Sequence, residues 1–170
     1  MKNIKANKVK KRHHSIEIIN ESSISIPINL VKIIERLLNN IPSDHLIGLS
    51  CITIVDKFHY KSYTHAAGLY WKKSKSTTAR IELSVTGIYN DHPYSICLVP
   101  FVRKYLLART LFHEIGHHYI HRLHGIPKIE WEEFAKNYSK KFLYKAFYCT
   151  WNILRPFEPM ISWLGNRLTR

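Results

Sequence analysis

Apolar residues recur at three- and four-residue intervals through residues 28–38 (INLVKIIERLL), which follow Pro27 and stop before Asn39, Asn40 and Pro42. This spacing predicts a helix. Residues 46–55 (LIGLSCITIV) are apolar and β-branched almost without interruption, the pattern of a buried strand. Residues 63–71 (YTHAAGLYW) read as a weaker strand, and residues 72–78 (KKSKSTT) as a polar loop between strands. Residues 80–85 alternate, with Ile81, Leu83 and Val85 on one face and Glu82 and Ser84 on the other. That period predicts a half-buried strand, here expected at a sheet edge. Residues 87–93 (GIYNDHP) form a turn-rich connection.

The strongest periodicity lies in residues 102–124 (VRKYLLARTLFHEIGHHYIHRLH), with Pro100 just before and Gly125 just after as start and stop signals. A further helix is expected over residues 128–147, where Trp131, Ala135, Tyr138, Phe142 and Ala146 fall on one stripe. Residues 151–170 are aromatic-rich and twice interrupted by Pro, and are expected to wrap the body or to serve as a docking surface. The order of helix, strands, then helices predicts an α+β fold. Residues 1–15 read as a flexible basic tail, and residues 16–170 as one domain.

Composition narrows the function classes. The chain has 170 residues, 45% of them apolar, enough for a packed core and too many for a disordered or fibrous protein. Its formal net charge is +14, and six of the first twelve residues are Lys or Arg. The remainder is basic as well, so nucleic acid, or another acidic surface, is an expected partner class through the tail and the body. Cys51, Cys97 and Cys149 are widely spaced and form neither a CxxC pair nor a disulfide framework, which fits a reducing compartment. No apolar h-region follows the basic start, and no uncharged apolar stretch reaches about 18 residues. The expectation is a cytoplasmic protein without a transmembrane segment.

The candidate chemistry sits in the long helix as His113-Glu114-Ile115-Gly116-His117. Two His four residues apart project from one helix face and can share a metal ion. Glu114, one step round, can reach a metal-bound water, the arrangement in which zinc is the Lewis acid and the Glu is the general base. Composition alone would produce about 0.04 such matches in this chain. Gly116, just before the second His, costs about 1 kcal/mol of helix stability relative to Ala and suggests a close approach by another element. His121 lies too far along the helix to join the same ion, and His118 points about 100° away. No His follows His124, so a downstream third ligand must be a carboxylate: Glu130, Glu132, Glu133 or Glu158. Glu132 flanks the apolar stripe of the next helix, beside Ala135 and Ser139, and is the choice; Glu133 is the alternative. No residue stands out for stabilising a developing oxyanion: Tyr138 falls on the core stripe, and His92, in the loop before the long helix, is the alternative.

His113-Glu114-Ile115-Gly116-His117 followed by Glu132-Glu133-Phe134-Ala135 resembles the gluzincin metallopeptidases, which carry an HExxH helix and then a Glu on a second helix, often as ExxA. The ImmA/IrrE-like and other minimal one-domain gluzincins are the most similar in layout. The resemblance implies a single zincin-like domain: an N-terminal helix, a small mixed sheet, and an HExxH helix packed against a Glu-bearing helix. It implies Zn²⁺ held by His113, His117 and Glu132, with Glu114 as the catalytic base. It also implies a polypeptide substrate added to the edge of the strand over residues 80–85, touching Ile81, Glu82 and Leu83. The chain departs from the family at Lys136, where an acid or amide is usual. The alternative function is a basic nucleic-acid-binding protein with a structural or vacant zinc site.

Overall fold

The structure is a computed structural model that describes residues 7–8, 16–75, 77–90, 92, 97, 99–123 and 127–154. It is an α+β arrangement. Strands β1 (Asn7–Lys8), β2 (Glu17–Asn20), β3 (Leu49–Val55), β4 (Gly68–Trp71) and β5 (Ala79–Ser84) form one mixed sheet in the order β1-β2-β3-β5-β4. Helix α1 (Leu30–Leu38) links the parallel strands β2 and β3. A hairpin then makes β4 antiparallel to β5, while β5 runs parallel to β3. Short α2 (Val85–Tyr89) leads toward the two long helices, α3 (Pro100–Ile120) and α4 (Trp131–Leu154).

The elements follow from local chemistry. Asn29 caps α1 by accepting a hydrogen bond from the Lys32 amide at 3.0 Å. Leu30, Ile33, Ile34, Leu37 and Leu38 form its buried stripe. The stripe meets Ile18, Ile52, Ile54, Ile81 and Leu83, one face of the sheet. The other face carries the half-exposed Cys51, Thr53, Arg80 and Glu82. Helix α3 starts at Pro100, where an imino nitrogen costs no hydrogen bond. Leu107, Ala108, Leu111, Phe112 and Ile115 from α3 fill the same core. Helix α4 covers α3 with Ala135, Tyr138, Phe142 and Leu143.

Several expectations are corrected. Residues 79–84 do form a strand with the anticipated alternation, but β5 lies between β3 and β4. The edge strand beside α3 is β4, so Ile81, Glu82 and Leu83 are not edge residues. Ile81 and Leu83 are fully buried in the core, and Glu82 turns to the opposite face, where it pairs with Arg80 at 3.1 Å. Alternation reports which face of a strand is buried; it carries no information about whether both edges are paired. Residues 85–89, read as strand end and turn, are helical because Ser84 accepts a hydrogen bond from the Gly87 amide and caps a short turn. Strand β2 and the 3-10 turns at Ser43–Leu46 and Lys61–Tyr63 carry too few residues to show a period. Of the expected basic tail, only Asn7 and Lys8 lie among the described residues, and they pair with Ile18 and Glu17. Residues 155–170 and His124 lie outside the described residues. Among the described residues no helix is long and apolar enough to cross a membrane.

Candidate metal centre

The site is built where α3 and α4 cross. His113 and His117 stand one turn apart on α3, and their Nε2 atoms lie 3.1 Å from each other. Glu132, in the first turn of α4, brings Oε1 to 3.2 Å from His117 Nε2 and Oε2 to 3.6 Å from His113 Nε2. Among the described residues these three form the group that could hold a metal ion. A tetrahedral zinc with bonds of about 2.0–2.1 Å needs donor separations of roughly 3.3–3.4 Å. The observed separations bracket that value, and a two-imidazole, one-carboxylate set is a familiar zinc donor set, so the residues fit the ion. Burial lowers the pKa of both imidazoles, His113 further through His117, Lys136 and Arg109, while Glu132 opposes the shift at each. Both shifts favour the neutral imidazole, the form that binds a metal.

Gly116 explains how the third donor arrives. A Cβ there would lie 2.9 Å from the Ala135 Cα, 3.2 Å from the Tyr138 Cβ and 3.3 Å from the Ala135 Cβ. The missing side chain lets α4 come down onto α3, and Glu132 sits one turn before that contact. Glu133 is exposed, and Glu130 lies exposed in the 3-10 turn before α4.

Glu114 is 6% exposed and lies on the side of α3 that meets β4. The Tyr70 amide donates a hydrogen bond to its carboxylate. Burial, and secondarily the negative Glu132, push its pKa up to about 8, against the pull of that amide. The edge strand is held close by Gly68, where a Cβ would stand 2.7 Å from the Glu114 Cγ and 2.8 Å from its Oε1. Gly68 and Tyr70 are thus the strand residues at the site, in place of Ile81, Glu82 and Leu83. The signal in the sequence was a Gly inside a strand pattern, which marks a close backbone approach.

His118 and His121 are packing residues. His118 is 2% exposed, bonds through Nε2 to the Ile47 carbonyl at 3.1 Å and packs against Tyr70; burial lowers its pKa to about 4. His121 lies against Trp131, with ring centroids 4.3 Å apart. Tyr138 is a core residue whose hydroxyl meets His45 Nδ1 at 2.8 Å. His92 lines a separate cavity with Cys97 and Arg103. The cleft beside the metal group, about 560 Å³, is lined by Ala67, Gly68, Arg109, Thr110, His113, Glu114, Lys136 and Lys140 among others. The chain matches no protein-family profile, no curated protein and no solved structure.

Proposed function

We propose that the chain is a zinc-dependent peptidase with a zincin-like layout of the gluzincin type. The observation that carries the reading is the convergence of His113, His117 and Glu132 at 3.1–3.6 Å, beside a buried Glu114 one step round the same helix. Zinc bound by these three residues would supply Lewis acidity and bring the pKa of a coordinated water toward about 7.

The remaining chemistry belongs to the chain. Glu132 contributes one negative charge to the donor set, and its 65% exposed side chain leaves room to adjust. Glu114 lines the cleft and is the group placed to take a proton from water and return it to a leaving amine. A positive charge brought within about 4–6 Å favours its ionised form, which counters the effect of burial. The Tyr70 backbone amide beside the carboxylate also favours its ionised form. The free edge of β4, rather than β5, is the strand to which an extended peptide would add.

The experiment is metal content by elemental mass spectrometry together with peptide cleavage. About one zinc per chain is expected, lost in both His113→Ala and Glu132→Ala. Glu114→Gln is expected to retain zinc and lose cleavage. Full cleavage in Glu114→Gln would overturn the mechanism, and a protein that takes up no zinc even on reconstitution would overturn the centre.

A further inference from the structure

The cleft that opens beside the metal group has three cations on its walls. Arg109 lies one turn before His113 on α3, and Lys136 and Lys140 lie one and two turns after Glu132 on α4. All three are exposed. None of the ion pairs found among the described residues includes them. Glu114 is the one acid among the residues that line the cleft, and Glu132 belongs to the proposed donor set. Ala67, Gly68, Thr110, Ser139 and the carboxyl group of Glu114 also line the cleft, and the Ser139 hydroxyl is already used by the Arg109 carbonyl at 2.9 Å.

We infer that this cleft is a carboxylate-binding subsite, in which Arg109, Lys136 and Lys140 hold an acidic group of a peptide substrate. The inference rests on the peptidase reading and specifies its substrate class. One helical turn is about 5.4 Å and an extended peptide advances about 3.3 Å per residue. The carboxylate therefore belongs one or two residues from the bond that lies at the metal. Two sources share this chemistry: an Asp or Glu side chain, and the carboxylate at a chain's C-terminus. A peptide is favoured over nucleic acid because Gly68 of the outermost strand β4 lines the cleft, and the backbone of an outermost strand offers pairing to another strand.

The test is binding, measured by fluorescence anisotropy on the zinc-loaded Glu114→Gln protein so that bound peptide is not consumed. Labelled, end-blocked hexapeptides carrying one Glu, or Gln at the same position, are compared with a Gln peptide whose C-terminus is free. At least tenfold tighter binding of a carboxylate peptide is expected, and which one gains identifies the source. The triple variant Arg109→Ala, Lys136→Ala, Lys140→Ala is expected to abolish that gain. Removing the same charge from the exposed loop, with Lys72→Ala, Lys73→Ala and Lys75→Ala, is expected to leave it. Equal binding of all three peptides would overturn the subsite. Loss of the gain in both triple variants would overturn it too, since the net charge of +14 would then be the cause. A single-stranded oligonucleotide that displaces the peptide with the same residue dependence would overturn it by assigning the cations to phosphates. If the carboxylate gain stands but the wild-type protein leaves the bound peptide intact, the peptidase reading fails and the subsite does not.

Discussion

Gly116→Ala isolates the contact that brings the two halves of the proposed metal centre together. The added Cβ would lie 2.9 Å from the Ala135 Cα, a backbone atom that cannot rotate away. Ordinary carbon contacts fall at about 3.5–4.0 Å, so α4 must retreat by roughly 0.6–1 Å at that point. Glu132 is three residues from Ala135 on the same helix and moves with it. A zinc site tolerates shifts in ligand distance of about 0.2 Å. The exposed Glu132 side chain can recover part of the displacement by changing its torsions, so the ion should be held more weakly rather than lost. We expect zinc affinity to fall about 10–100-fold, the size of effect seen when the support of a ligand is disturbed. The metal-free protein gains about 1 kcal/mol of helix propensity and loses about 1–3 kcal/mol to overpacking. A net destabilisation of about 0–2 kcal/mol should follow. Competitive zinc titration against a chelator measures the first quantity, and urea unfolding in the presence of that chelator measures the second. Unchanged zinc affinity together with a stability gain of the full propensity value would refute the reasoning, because the helices would then not be in contact at Gly116.

Gly68→Ala should act on Glu114, the proposed base, and spare the proposed zinc ligands: its Cβ meets Glu114 at 2.7–2.8 Å, so cleavage should fall at least tenfold with zinc stoichiometry unchanged, read by parallel activity and metal assays. Glu114→Gln should lower the cleavage rate by about 10²–10⁴-fold at full zinc occupancy, measured with any peptide the wild type cuts. Leu83→Ala, a substrate contact had β5 been the edge strand, should instead cost about 2–5 kcal/mol in denaturant unfolding, because Leu83 is fully buried. Asp56 accepts hydrogen bonds from Ser22, Ser23 and the Ile24 amide, which lower its pKa to about 2. Its folded value lies below the unfolded one, so its contribution is complete above about pH 4 and is lost as pH falls toward 2. The stability difference between wild type and Asp56→Asn should therefore shrink between pH 5 and pH 2.5, and a constant difference across that range would refute the assignment.

The residues themselves determined the α+β order, the long helix carrying His113, Glu114 and His117, and a second helix with Glu132 beside its apolar stripe. These depend on interactions within a few positions of the chain, and helical period and capping encode such interactions directly. The two-His spacing was sufficient because one turn of helix already sets the two rings on one face. Gly116 was legible as a point of close approach, though not what approaches it. Only the tertiary structure decided which strand is the edge. The alternation of Ile81, Glu82 and Leu83 is the same whether one or both edges of β5 are paired, and the return of the β4 hairpin places β4, not β5, outermost. The same holds for the partners of Glu114. The Tyr70 amide and the close approach at Gly68 come from a segment more than forty residues earlier, and no local pattern relates the two. The three cations of the cleft are likewise ordinary helix-surface residues in the sequence; they converge because α3 and α4 cross as closely as a residue without a side chain permits.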